Sequence, residues 1–283
     1  MEIPWSVSSS ALDAAQAAMV ALPAAGLPRM LARFAGKWWA LIPPISIIAV
    51  VYAITVLPGV ADGLTWLALL ACPPLAALTL GWAMHGARPW YALAVVPALA
   101  GAIHWNTTLD GHLCALFLTA LSTVTLARLL AGVTPRLLLK LGVVAMAVAD
   151  AYLILSEQLQ APNAVLVGAA PAPSLPRLQV AIVDPASMGY GDLFLAAVLG
   201  AIVALEARRR RDQLTIAAVL LVLAVLFDGL FLWLDSLPAT VPVAVALGIW
   251  ELVRSRGGRR SPPAGGNAGA EPPSYAAGRS ATP

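Results

Sequence analysis

Charge is what this chain has least of. Of its 283 residues, 11% are Asp, Glu, Lys or Arg and 60% are hydrophobic, with a mean hydropathy of +0.84. A soluble domain of this length carries about a quarter charged residues, so the composition excludes a water-soluble globular enzyme and leaves no stretch for a separate soluble domain. Cysteine is nearly absent. Cys72 and Cys114 both fall in apolar runs and read as small packing residues rather than a disulfide. Histidine is confined to His85, His104 and His112, near the ends of apolar runs and without acids or cysteines at ligand spacing. Neither a metal nor another cofactor is therefore expected. The sequence has no phosphate-binding loop, no nucleotide fingerprint and no serine–histidine pair. The net charge of +3 gives no footprint for nucleic acid.

What the chain has instead is long apolar runs bounded by proline, glycine or charge, at about 38–57, 64–84, 90–105, 112–132, 137–158, 188–206, 213–235 and 238–253. Each is long enough for a membrane helix. They predict an all-α polytopic bundle of eight transmembrane helices. A ninth span is open at 11–31, "ALDAAQAAMVALPAAGLPRML", which carries Asp13, Pro23, Pro28 and Arg29 and reads equally as an interfacial or re-entrant segment. The chain thus divides into an N-terminal segment, 1–37, a transmembrane bundle, 38–254, and a tail, 255–283, whose Gly, Pro, Ala and Ser content predicts disorder. A proline-broken stretch at about 159–187 is expected outside the membrane as a short hairpin or a lid. The nine tryptophans fall near the run ends and read as an interfacial belt.

The basic residues set the orientation. Arg29, Arg33, Lys37, Arg88, Arg136, Lys140, Arg208 to Arg211, Arg254, Arg256, Arg259 and Arg260 all fall on one side if eight spans alternate. The opposite loops carry Asp62, Asp110, Asp184 and Asp235, with Arg177 alone among cations. The positive-inside rule puts the C-terminus in the cytoplasm. The expectation is a multi-pass protein of a bacterial or archaeal plasma membrane.

Three aspartates interrupt the apolar runs: Asp150 in "GVVAMAVADAYLILSEQ", Asp192 in "MGYGDLFLAAVLG" and Asp228 in "VLFDGLFLWLD". Each costs about 2.5–3.5 kcal/mol at mid-helix. At 1.5 Å per residue, Asp150 lies about 12 Å, Asp192 about 6 Å and Asp228 about 10 Å from the outer ends of their spans. Asp150 and Asp192, on sequential antiparallel spans, form a candidate pair; depth leaves Asp228 open as another partner. Two carboxyls at close range cannot both ionise. The charged one can take a proton from water as it attacks a carbonyl, and the protonated one can donate to the carbonyl oxygen. Gly189 and Gly191, flanking Tyr190, leave room for backbone to approach beside Asp192.

These residues resemble the GxGD intramembrane aspartyl proteases, the presenilin and signal peptide peptidase group. The family's marks are Tyr-Asp, Gly-x-Gly-Asp and Pro-Ala-Leu. This chain has Ala149-Asp150, Gly189-Tyr190-Gly191-Asp192 and Pro238-Ala239-Thr240, in that order and with one span between the second and third. The resemblance implies that Asp150 and Asp192 are the catalytic pair, that Gly189, Tyr190, Gly191, Pro238, Ala239 and Thr240 shape the substrate site, and that the half from about 137 to 254 is catalytic. It implies a transmembrane peptide or protein as substrate and nine spans. The departures are Ala149 for tyrosine, with Tyr152 just beyond, and Thr240 for leucine. "MGYGDLFLAAVLGA" is also similar to the second aspartate motif of bacterial prepilin peptidases, although Phe194 stands where those enzymes usually carry lysine. A different class stays open as well: a proton- or cation-coupled transporter whose path uses Asp150, Asp192 and Asp228.

Overall fold

A computed structural model of the chain describes residues 5–26, 31, 33–57, 59–207, 209–229 and 238–258. Arg29, Arg208, Trp233, Asp235, Arg259, Arg260 and the expected disordered tail from 259 onward lie outside these residues. Among the described residues there are ten α-helices and one two-stranded hairpin, so the fold is predominantly helical rather than wholly so. The helices are α1 (Trp5–Ala21), α2 (Ile42–Val56), α3 (Gly59–Leu78), α4 (Val95–His104), α5 (Leu109–Val133), α6 (Arg136–Leu155), α7 (Gln160–Gly168), α8 (Tyr190–Glu206), α9 (Arg210–Asp228) and α10 (Thr240–Gly258). A 3-10 turn precedes α2 (Lys37–Leu41) and another precedes α4 (Pro89–Ala94). Between α7 and α8, β1 (Val180–Val183) pairs antiparallel with β2 (Ala186–Gly189).

Four helical stretches are long and apolar enough to cross a membrane: Lys37–Val56, Gly59–Ala83, Leu109–Val133 and Arg136–Leu155. The other expected spans fall short for physical reasons. α1 and α8 are 17 residues long, about 26 Å at 1.5 Å per residue. The stretch Pro89–His104 is shorter again. α9 begins "RRD" and α10 ends with Arg254 and Arg256, so both carry charge into the apolar run. α10 also reaches Gly258, past the expected start of disorder at 255.

α8 is the axis of the bundle. Leu193 and every residue from Leu195 to Val203 are buried, and α1, α5, α6, α9 and α10 pack around it. Gly200 makes the tightest of these approaches possible. A Cβ there would lie 2.4 Å from the Val20 carbonyl oxygen and 2.7 Å from Val20 Cα. The N-terminal segment is therefore a helix packed against the axis. It begins at Trp5, ahead of the expected start, and ends at Ala21, because Pro23 follows. α1 runs the length of the bundle. Near its start, the Ser8 hydroxyl donates to the Asp184 carbonyl in the hairpin turn. At its end, the Val20 and Pro23 carbonyls accept from Gln213 Nε2 of α9, at 2.8 and 3.0 Å.

The basic loops gather at that second end. Gly36 N–H donates to the Val133 carbonyl, and His85 Nε2 meets Gln213 Oε1 at 3.1 Å. Lys140 bridges Glu206 and Glu251 at 2.7 and 2.5 Å, Arg254 reaches Glu206 at 2.9 Å, and the Trp250 indole donates to Glu206 at 3.0 Å. These contacts tie α6, α8 and α10 together.

Arg128, inside α5, is the one cation of the apolar interior among the described residues, and it is held without a carboxylate. Its guanidinium donates to the carbonyls of Gly26, Trp82 and Ala25 and stacks 3.9 Å from the Trp82 ring. Trp82 and Trp250 thus serve interior contacts rather than a belt, whereas Trp38, Trp39, Trp66, Trp90 and Trp105 are exposed. Cys72 and Cys114 are free thiols, and Cys72 is packed in the core.

Two substitutions check this packing by thermal unfolding in detergent. Gly200→Val should overpack the contact between α1 and α8 and cost about 1–3 kcal/mol or more. Arg128→Met should leave three carbonyls without their charged donor and cost about 1.5–3 kcal/mol. Either variant melting with the unsubstituted protein would contradict the packing described.

Candidate active site

The site lies in the half of the bundle nearer the hairpin. β2 ends at Gly189 and the chain turns directly into α8, so Gly189 is the N-cap and Asp192 sits in the first turn. The Asp192 carboxylate reaches back to accept the Gly189 N–H at 3.1 Å. That contact satisfies a donor the helix itself cannot use. A Cβ at Gly191 would come 3.2 Å from Met146 Cε of α6. The small residue there lets α8 start close against the helix that carries Asp150.

Asp150 is buried near the C-terminal end of α6. Its Oδ2 accepts the Thr240 hydroxyl at 2.6 Å. Thr240 opens α10, is itself fully buried, and follows a buried Pro238. The two aspartates line the same cavity and stand close enough to feel each other's charge. Gly189, Tyr190, Gly191 and Ala239 line that cavity too. Tyr190 fixes its ring by a 2.9 Å contact between its hydroxyl and Ser122 Oγ. Of the marked residues, Pro238 and Thr240 do not line the cavity; they stand behind it, with Thr240 bonded to Asp150. Tyr152 does not stand in for the tyrosine missing at Ala149. It is 64% exposed on the outer face of α6.

The cavity holds about 760 Å³. One wall is aliphatic, from α2 and α3, the least covered of the four membrane-length stretches. Another is the hairpin from Pro185 to Gly189, with Pro162 and Asn163 of α7 beside it. The stretch expected as a hairpin or lid is thus a hairpin plus the helix α7, and it borders the acids.

Two further carboxyls belong to the cavity. Asp228, at the end of α9, lies beside Asp13 of α1 and accepts the Ser9 hydroxyl. Both Asp13 and Asp228 line the same space as Asp150 and Asp192. Asp228 is accordingly partnered with Asp13, on the helix the sequence left open. Gln16, one turn beyond Asp13, donates to the Ala239 carbonyl at 2.9 Å and so touches the turn that positions Thr240. Ser9, Asp13 and Gln16 had no role assigned from sequence. Their spacing is nonetheless that of one helix face, i, i+4 and i+7.

Comparison of the chain with protein-family models, with curated proteins and with solved structures finds no match.

The Thr240–Asp150 contact generates a direct check. Thr240→Val keeps the shape but removes the donor to a buried carboxyl, at a cost of about 1–3 kcal/mol. Thr240→Ser retains the donor and should stay close to the unsubstituted protein. Thermal unfolding of the two variants in detergent separates them; equal midpoints would mean the contact carries no weight.

Proposed function

We propose that this protein is a membrane-embedded aspartyl endopeptidase that hydrolyses peptide bonds in transmembrane or membrane-proximal segments. Asp150 and Asp192 are its catalytic pair. The observation that carries the reading is their meeting in one cavity, each with a carboxyl oxygen held by a donor, Thr240 in one case and the Gly189 N–H in the other. Fixed carboxyls are what water activation needs, because a general base must present its oxygen within hydrogen-bond reach of the attacking water.

The chemistry follows from sharing one proton between two acids. A water molecule enters between them. The ionised carboxyl removes a proton from it as the water oxygen bonds to the scissile carbonyl carbon. The protonated carboxyl gives its proton to the carbonyl oxygen, forming a neutral tetrahedral diol. Collapse of the diol restores the carbonyl and breaks the C–N bond. A proton passes to the leaving amine, and the pair returns to its starting state. The aliphatic wall of α2 and α3 suits an apolar segment arriving from lipid, and β2 borders the acids where that segment must be extended to be cut.

In this reading the eight apolar runs cross the bilayer and α1 makes a ninth crossing. The C-terminus is cytoplasmic and the site opens toward the opposite face, an arrangement like that of the signal peptide peptidase branch. A prepilin-peptidase-like enzyme would use the same two acids from the cytoplasmic side. A transporter remains the competing class, favoured by the second carboxyl pair in the cavity.

The experiment is cleavage of tagged single-pass helices by the purified protein in proteoliposomes. Asp150→Asn and Asp192→Asn should each lower turnover by about 100-fold or more while leaving the melting midpoint close to that of the unsubstituted protein. Full activity in either variant would end the two-aspartate mechanism. A proton or cation flux through protein-loaded vesicles without cleavage would favour the transporter.

A further inference from the structure

The cavity described above has an unbalanced charge pattern. Among the described residues, four aspartates line it and no lysine, arginine or histidine does. The described cations nearest the bundle interior are engaged elsewhere: Lys140 and Arg254 on Glu206, Arg128 on backbone carbonyls. Within the acid cluster, Asp13 stands out. It is 5% exposed, it lies beside Asp228, and its Oδ2 is buried without a hydrogen-bond donor. Two neighbouring carboxyls resist losing both protons but readily carry one negative charge between them. A buried charge-bearing acceptor with no donor is costly, and a cationic donor removes that cost.

We infer that Asp13 and Asp228 form a second acidic subsite that receives the cationic group, a lysine or arginine side chain or a terminal amine, of an otherwise apolar peptide segment lying in the cavity. The inference rests on the protease reading for what happens to the peptide, but not for its binding. Three features define the ligand class. The aliphatic wall matches an apolar stretch of chain. The acids demand positive charge. Among the described residues no three His, Cys, Asp or Glu side chains converge as metal ligands, so an organic cation fits where a bare divalent ion does not.

The subsite is mechanically joined to the catalytic pair. Ser9, Asp13 and Gln16 lie on one face of α1. Ser9 holds Asp228, and Gln16 holds the Ala239 carbonyl, next to the threonine bonded to Asp150. Asp13 and Gln16 are three residues apart, about 4.5 Å along the helix. A segment whose cation is seated at Asp13 therefore lies in fixed register with the scissile position. The cation supplies an anchor that an apolar helix lacks, since dispersion contacts alone allow it to slide.

The test measures binding, not cleavage. The probe is a fluorophore-labelled apolar 20-residue helical peptide with a single lysine, moved one position at a time, compared with the same peptide carrying norleucine. The protein is the full chain with Asp192→Asn, reconstituted in vesicles. At the matching register the lysine peptide should bind at least about tenfold more tightly than its norleucine partner, the equivalent of one charge-assisted hydrogen bond. Adding Asp228→Asn, or separately Asp13→Asn, should erase that preference and leave norleucine binding unchanged. Asp228 is the less buried of the two, so its variant keeps the test available if the Asp13 variant fails to fold. Equal binding of both peptides at every register would overturn the subsite, as would a lysine preference that survives both substitutions. A lysine preference without cleavage of any helix by the unsubstituted protein would sustain the subsite while removing the protease reading. Cleavage with no lysine preference would do the reverse.

Discussion

A carboxyl in an apolar bundle has to be given partners, and that constraint organises this structure. Five of the acids on the described helices are met in different ways. Asp192 takes the first turn of α8, where an unpaired N–H and the helix dipole receive it. Asp150 takes a threonine hydroxyl from α10. Asp228 takes Ser9 and Asp13 from α1. Glu206 and Glu251, at the far end, take Lys140 and Arg254. Every one of these partners lies on a different element from the acid except the Gly189 N–H. The polar contacts therefore decide which helices are neighbours, in a chain whose apolar side chains would accept many arrangements.

That division of labour explains why α8 can be deeply buried and still carry a residue of the candidate site. Its length from Leu195 to Val203 is apolar and packed on all sides. Its polar chemistry is confined to the two ends, with Asp192 at one and Glu206 at the other. Gly200 lets α1 approach to backbone contact, and this close approach brings the Ser9, Asp13 and Gln16 face to the cavity. A bulkier residue at 200 would hold α1 away, and the second carboxyl pair would lose one of its members. The helix axis and the composition of the site are thus one structural decision.

Much of this was legible in the sequence. The apolar runs locate the helices because lipid and core both select against charge, and Pro238 and the Gly189 cap mark two helix starts that hold. The grouping of Asp150, Gly189 to Asp192 and Ala239 follows from counting spans, since antiparallel neighbours place their ends together. The 17-residue helices and the charged ends of α9 and α10 are where hydropathy alone overstates the number of membrane-length elements. α1 was the hardest element to read. Its alanines carry little periodic signal, and its informative face is polar: Ser9, Asp13 and Gln16 at helical spacing look like a solvated stripe until α9 and the turn at Ala239 are known to lie against it. The Asp13–Asp228 contact joins residues at opposite ends of the chain, which no local pattern encodes. Arg128 was masked by the apolar run around it, because its partners are carbonyls and leave no complementary acid in the sequence.

The two departures from the GxGD marks have unlike consequences. Thr240, where the GxGD marks have leucine, supplies a donor, and that donor is spent on Asp150. Ala149, where they have tyrosine, supplies no hydroxyl, and Tyr152 does not provide one, since its side chain points out of the bundle. Asp150 is thus supported from α10 rather than from its own helix. Support supplied across an interface depends on that interface staying closed. Gln16 holds the same turn of α10 from the other side through Ala239, so α1 and α6 grip the start of α10 between them. The Asp150 carboxyl is therefore fixed by three helices rather than one, and the N-terminal helix is as much a part of the cavity as Asp150 and Asp192.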